Sequence, residues 1–311
     1  MKPIVTLTLN PTIDGSASAD VIAPLRKIRT SDERYHPGGG GINVARVVAE
    51  LGGDALAIYL AGGATGAILD DLLKDIGVAC RYIPIAGYTR IAHTVFERSS
   101  GQEYRFVPEG PEVSEGEWEA CLSELAALDF DYVVISGSLP RGLPDTAYAR
   151  VVDIAAAKKA RVVLDTSGDA LKATLAKGVF LVKPNWGELE DLVGRPLPQT
   201  DQLITAARTL IANKSAEIVA ITLGKDGALI VSQNEAWHSV APPVTANSAV
   251  GAGDSFVGAV TLALARAQSL DAVLAYGIAA GTAAVLSPGA ELSSAADVER
   301  LYAAMRVTRL L

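Results

Sequence analysis

A chain of 311 residues, 50% hydrophobic and 20% charged, can bury a large core, which excludes a disordered or low-complexity protein. Its net charge of −8, with no basic run or tail, excludes a nucleic-acid binder that works by neutralising phosphates. A small anionic ligand stays allowed, because a local basic pocket can sit in an acidic chain.

The chain opens on "MKPIVTLTLNPTID", apolar residues alternating with threonine and stopping at Asn10-Pro11. This reads as a strand, too short and interrupted for a signal peptide. "INVARVVAEL" places Ile42, Ala45, Val48 and Ala49 at helical spacing and ends at Gly52-Gly53, a helix stop. "ALAIYLAG" is a strand and "AILDDLLKDIG" a helix. The same alternation returns in "YVVISGS", "TAYARVVDIAAAKKA", "RVVLDTSG", "VFLVKPN", "EIVAITLG" and "AVLAYGIAAGTAAVLS". Short apolar strands alternating with helices predict a mostly parallel sheet covered on both faces. Ligands of such sheets bind beyond the carboxyl ends of the strands. The strands here end in Asn10, Ser136, Asp165, Asn185 and Gly224. Residues 15–37 and 80–107 break the rhythm, and "CRYIPIAGYTRIAHTVFERSSGQEYRFVP" reads as antiparallel strands of a small projecting sheet. The longest apolar region, roughly 256–286, is broken by Arg266 and Asp271, so no membrane span is expected. Cys80 and Cys121 lie far apart without metal-ligand spacing, which fits reduced thiols and a cytoplasmic protein.

Several glycine or polar clusters sit at element boundaries, each with a chemical and a plain structural reading. In "VGAGDSFVGA", Gly251, Ala252 and Gly253 could offer backbone N–H groups to a transferring phosphoryl group, with Asp254 accepting a hydroxyl proton. Asp254 could equally be a helix N-cap. In "PGGGGINVA" the glycines allow close approach of a ligand and Asn43 could bind a hydroxyl; the plain reading is a flexible loop. In "VKPNWGEL", Asn185 and Glu188 suit water-mediated binding of Mg²⁺ and phosphate, or form a capping box. In "ITLGKDGALIV", Thr222 and Gly224 could touch a nucleotide phosphate, and Asp226-Gly227 is an ordinary hairpin turn. Lys27, Arg29, Arg90 and Arg105 all fall in the small-sheet segments. They are solvated charges, or a clamp for a second phosphate carried by the substrate. No G-x-x-x-x-G-K-[ST] occurs, nor the dinucleotide fingerprint G-x-G-x-x-G in the glycine run. His36, His93 and His238 are dispersed, without metal or triad partners.

The combination of "GGGGINVA", "KPNWGE" and "GAGDSFVGA", in this order and spacing over the whole chain, resembles the ribokinase-like (PfkB) family of sugar kinases. "TLTLNPTID", "AGGATG", "YRFVP" and "VISGSLP" make it most similar to the phosphofructokinase branch. The resemblance implies a single kinase domain over residues 1–311 with a ribokinase-like three-layer α/β/α sandwich, a mostly parallel central sheet and a small β-sheet lid. The lid segments would be about 15–37 and 86–107, and two lids would pack together in a homodimer. It implies ATP and Mg²⁺, and transfer to the 1-hydroxyl of fructose 6-phosphate, with fructose 1-phosphate or tagatose 6-phosphate as rival sugars.

In that family's terms Asp254 matches the catalytic base and Gly251, Ala252 and Gly253 the anion hole. Asp14, Gly39, Asn43 and Ser138 match sugar-contacting positions. Lys27, Arg29, Arg90 and Arg105 match substrate-phosphate positions, some reaching across the dimer. Lys183, Thr222 and Gly224 match nucleotide-side positions, Asn185 and Glu188 the Mg²⁺/phosphate motif, with Glu188 holding the metal through water. An apolar adenine pocket is expected near Gly277 to Ala280. Many members carry Asp-Thr before the glycine motif, where the loop helps bind K⁺; here Ser248-Ala249 removes one hydroxyl, leaving backbone carbonyls as ligands. A dinucleotide-dependent oxidoreductase lacks its fingerprint here, and a non-catalytic sensor has no need of a base such as Asp254.

Overall fold

The computed structural model describes residues 2–245, 248, 250–287 and 292–311. Strand β1 (Ile4–Thr8) is buried along its whole length, third from one edge of a ten-stranded sheet. Its parallel neighbours are β4 (Ala55–Ala61) on one side and β8 (Tyr132–Ser136) on the other. Beyond β4 lies β5 (Ala79–Pro84). Beyond β8 the sheet continues parallel through β9 (Arg161–Asp165), β10 (Val179–Val182) and β11 (Ala216–Thr222). It then turns antiparallel in β12 (Ala228–Val231), β13 (Ala236–Ser239) and β14 (Thr308–Arg309).

Successive strand residues point to opposite faces, and both faces are dry. On one side Val133, Ile135, Val162 and Leu164 pack on α3 (Glu115–Ala127), α4 (Ala147–Ala157), α5 (Gly168–Leu175), α6 (Trp186–Val193) and α7 (Thr200–Ala212). On the other, Val134, Val163 and Leu181 pack on α1 (Gly40–Glu50), α8 (Ala252–Ala265), α9 (Leu270–Leu286) and α10 (Ala295–Ala304). This burial on two faces is why the strands read as unbroken apolar runs. Helix α2 (Gly63–Asp75) closes a smaller cluster with Ile13, Ile42 and Tyr59.

A separate four-stranded sheet follows the order β3-β2-β6-β7, from β2 (Thr12–Ala19), β3 (Ser31–Gly38), β6 (Arg90–Glu97) and β7 (Gln102–Phe106). One expectation needs correction: residues 80–84 belong to the main sheet, not the small one, because β5 pairs in parallel with β4. The rest of that segment pairs antiparallel as expected, β6 with β7, and β3 is antiparallel to β2, while β2 and β6 run parallel.

The glycine run before α1 is a packing device and not a flexible loop. Gly39 takes φ 114°, a region that favours glycine. A Cβ on Gly40 would stand 2.2 Å from Ser136 Oγ, and one on Gly41 would stand 2.6 Å from the Leu7 carbonyl. The glycines let the start of α1 press onto the ends of β1 and β8, where the chain order reverses across the sheet. That switch point is where ligands of open α/β sheets bind.

Candidate active site

The end of β1 leads directly into the small sheet, so Asn10, Thr12 and Asp14 overhang the switch point. Here a cleft of about 400 Å³ is lined by Asp14, Gly39, Asn43, Arg90, Arg105 and Ser138. Asp165, Glu188, Gly251 and Asp254 form its floor and far wall. A second, larger cavity of about 860 Å³ lies on the other side of the glycine turn. It is lined by Asn185, Thr222, Gly224, Ala252 and Gly253, and by apolar groups including Pro242, Pro243, Phe256, Ile278 and Val285.

Helix α8 starts between the two cavities. Its N-cap is Gly251, in the left-handed region at φ 75°, and no side chain caps it. Asp254 is therefore not the cap, as one sequence reading had it; it stands in the first turn, where the helix dipole favours an anion. The uncapped N–H groups of that turn make a ready anion site.

Asp254 Oδ2 accepts a 2.8 Å hydrogen bond from Asn43 Nδ2 on α1. Among the described residues Oδ1 takes none. Burial pushes the Asp254 carboxyl up to about 7, and the Asp165 carboxylate adds to the rise. Asn43 and Lys183 oppose it. A carboxyl poised near neutrality is suited to accept a hydroxyl proton.

Asp14 is raised above the usual carboxylate range by burial, against the attraction of Arg105, Arg90 and Arg46. Arg90 is half-buried, lines the cleft and is held in place by carbonyls: its Nη2 donates to Asn10 O at 2.8 Å and its Nη1 to Pro108 O at 2.9 Å. Arg105 is exposed and lines the cleft from β7, one strand from the Asp14 strand's neighbour.

Asn185 caps α6 and forms a reciprocal box with Glu188, both bonds being 2.8 Å. The plain reading of this pair thus holds, and Glu188 also lines the smaller cleft. Asn185 bridges to Thr222, whose N–H donates to Pro184 O at 3.1 Å, which fixes both on the larger cavity.

Other expectations shift. Lys183 lines neither cavity: it is buried and its Nζ stands 3.0 Å from Asp165 Oδ1. Its backbone N–H continues the β9–β10 pairing by donating to Leu164 O, which turns the side chain inward beneath the cleft. Lys27 and Arg29 lie exposed on the β2–β3 connection and are not among the residues lining the cleft of their own chain. The larger cavity is met by Ile278, Gly281 and Thr282, whereas Gly277 packs against Phe256 and Val260. Ser248 is buried and its Oγ accepts from Val250 N; Ala249 lies outside the described residues.

Sequence reasoning missed the parts played by Asp165 and Arg46. The polar strand end of β9 was the available signal for Asp165, since a carboxylate closing an apolar strand points to the ligand side. Arg46, one turn after Asn43, carried no signal beyond helical spacing. Both thiols, Cys80 and Cys121, are free. Among the described residues no helix is long and apolar enough to cross a membrane.

An open α/β sheet with two cavities meeting at an uncapped helix start, and a carboxyl poised near neutrality between them, defines a group-transfer enzyme of the sugar-kinase kind. The chain belongs to the pfkB family of carbohydrate kinases, whose model matches residues 8–297. It is 45% identical over 304 residues to the ATP-dependent 6-phosphofructokinase isozyme 2 of Mycobacterium tuberculosis, covering 97% of this chain and 89% of that one. It is 42% identical to the enzyme of the same description from Escherichia coli, covering 97% and 99%. The solved E. coli phosphofructokinase-2 in complex with fructose-6-phosphate superposes with a TM-score of 0.93, at 41% identity over 98% of this chain and 99% of that one. The same E. coli protein has been solved in complex with potassium, with a TM-score of 0.94 at 42% identity, covering 98% and 99%. A Bacillus subtilis 1-phosphofructokinase is more distant, 30% identical over 99% of this chain and 100% of that one.

Proposed function

We propose that the chain is an ATP-dependent 6-phosphofructokinase of the cytoplasm, moving the γ-phosphoryl group of ATP to the 1-hydroxyl of fructose 6-phosphate in glycolysis. One observation carries the reading: the Gly251–Gly253 turn divides a small polar cleft holding Asp254 from a larger apolar cavity. A phosphoryl group passing from one to the other must cross the uncapped N–H groups of α8. Those donors stabilise charge that grows in the transition state. The identities above favour fructose 6-phosphate over its rivals.

In this reading Asp254 takes the proton of the sugar hydroxyl. Asp14, Gly39, Asn43 and Ser138 orient the sugar; Arg90 and Arg105 receive its phosphate. Thr222, Gly224 and Asn185 face the nucleotide, and Lys183 acts from beneath by charge. The donor set suits Mg²⁺, which takes one or two carboxylates plus substrate phosphates and keeps its waters. No cluster of three metal-ligating side chains is needed, and none occurs among the described residues. When bound, Mg²⁺ would neutralise phosphate charge, held by Glu188 through water. K⁺ joins the proposal on the E. coli potassium complex alone, since residues 246, 247 and 249 lie outside the described residues.

The small sheet acts as a lid over the cleft, in segments about 15–37 and 86–107 of a single domain. Its strands and the β2–β3 connection expose Val21, Leu25, Tyr35 and Phe96, apolar surface that a second copy would cover in a homodimer. Lys27 and Arg29 on that connection would then reach the cleft of the second subunit.

The test is ADP release with Mg²⁺-ATP, comparing kcat/KM for fructose 6-phosphate, fructose 1-phosphate and tagatose 6-phosphate. Fructose 6-phosphate is expected to lead; a preference for either rival keeps the chemistry and overturns the substrate. A second expectation concerns Arg105→Met. Losing a charge-assisted contact of about 1.5–3 kcal/mol should raise KM for fructose 6-phosphate roughly 10- to 100-fold, with kcat and the KM for ATP little changed. A fall in kcat at unchanged KM would remove Arg105 from the phosphate.

A further inference from the structure

Arg46 is half-buried on α1, one helical turn after Asn43, and is not among the residues lining the cleft. Its Nη1 donates to Pro37 O at the end of β3, 3.0 Å away, and to Asn43 Oδ1, 3.3 Å away. Asn43 Nδ2 in turn donates to Asp254 Oδ2 at 2.8 Å. A guanidinium has only donors, and an ionised carboxylate only acceptors. A carboxamide held between them therefore has one favourable orientation, oxygen to the arginine and nitrogen to the aspartate. Turned over, it would set NH₂ against guanidinium and carbonyl oxygen against carboxylate.

We propose that Arg46 is a positioning residue for phosphoryl transfer: it fixes the Asn43 amide so that its NH₂ group holds Asp254 Oδ2 and leaves Oδ1 for the sugar hydroxyl. The inference rests on Asp254 being the base. The other charged groups facing Asp254 each come from a different element: Asp165 at the end of β9, Lys183 after β10, Asp14 on β2 and Glu188 on α6. Those act by charge. Arg46 also attracts Asp14 and Asp254 by charge, but it stands behind Asn43 and acts on Asp254 through the amide as well. Without it the amide is free to turn its oxygen to Asp254, an arrangement that favours the protonated carboxyl and disables the base. Because the same nitrogen holds Pro37, the seating of β3 and the orientation of the base share one side chain.

The experiment is the pH dependence of kcat/KM with ATP and fructose 6-phosphate for Arg46→Met, Arg46→Lys, Asn43→Ala and the double variant Asn43→Ala/Arg46→Met. In Arg46→Met the acid limb should move up by about 0.5–1 pH unit, so the rate loss is several-fold larger near pH 6 than near pH 8.5. Arg46→Lys keeps a donor and should restore the limb. In the Asn43→Ala background, removing Arg46 should move the limb clearly less, by its direct charge alone, since the residue it acts through is gone. A uniform loss with the limb in place means a structural role only, and an equal shift in the Asn43→Ala background means charge alone; either overturns the inference. If Arg46→Met does not fold, Arg46→Leu, which also lacks a donor, is read by the same two criteria. Asp254→Asn separates the two layers: if it turns over normally the base itself is wrong, whereas an inactive Asp254→Asn with an unmoved Arg46→Met limb overturns only Arg46.

Discussion

Asp254→Asn should lose about 10²–10⁴-fold in kcat while still binding ATP and fructose 6-phosphate, the range that removal of a general base commonly costs. The amide fills the same space and can still accept from Asn43, so the cleft keeps its shape. What it lacks is an oxygen able to take a proton. Turnover within a few-fold of the parent would end the assignment of Asp254 as base.

The same substitution has a second, opposite effect. Asp254 in the fold is raised from the ordinary carboxyl value to about 7, chiefly by burial. A raised carboxyl pKa means the folded state holds its proton more tightly than the unfolded chain. The stability this lends is fully present below about pH 4 and is lost as pH rises to about 7. Above that, a carboxylate is kept ionised in a site that disfavours it. Asp254→Asn should therefore stabilise the ligand-free protein by on the order of 1–3 kcal/mol at pH 8, with the gain vanishing near pH 4. Urea unfolding at the two pH values reads it. In the parent, kcat/KM should fall as pH drops through about 7, because protonation removes the base.

The sequence displayed the architecture because the two-sided burial of β1, β8, β9, β10 and β11 forces uninterrupted apolar runs, and the helices between them carry period 3.6. Glycine clusters at the starts of α1 and α8 marked the switch point for the same kind of reason: only close backbone approach needs them. Edge strand β5 was harder. It is exposed along most of its length, so "ACRYIP" has the same half-polar pattern as a strand of the small sheet. Lys183 was harder still. Its partner Asp165 sits on the neighbouring strand, and only the β9–β10 register brings the two together. Local pattern carries no register between strands, so the pairing of Lys183 with Asp165 was not legible in it. Glu188 shows the opposite case: it forms the capping box and lines the cleft as well, so the plain reading does not displace the ligand one.

Lys183→Met should destabilise the protein by about 3–5 kcal/mol, the usual effect of removing one partner of a buried ion pair. The pair is shielded, with side-chain exposures of 7% for Lys183 and 16% for Asp165 at 3.0 Å. Burial works to push the Lys183 ammonium down, but the Asp165 carboxylate overrides it and the pKa is raised. A raised lysine contributes stability that is fully present below its unfolded value of 10.5 and is lost only as pH climbs through the folded one. The lysine's own titration therefore adds no slope below about pH 9, but the gap between parent and variant should widen as pH rises past about 7, because Asp254 then ionises without the cation that favours its charge. Catalysis should respond as well. Lys183 holds Asp254 down and Asp165 pushes it up, so losing the cation leaves Asp165 unopposed and moves the acid limb of kcat/KM to higher pH. Adding Asp165→Asn to Lys183→Met removes the stranded charge and should recover part of the stability and return the limb downward. Denaturant unfolding and pH–rate profiles of the two variants check both halves. A double variant no better than Lys183→Met would mean that the lysine acts by packing and not by its charge.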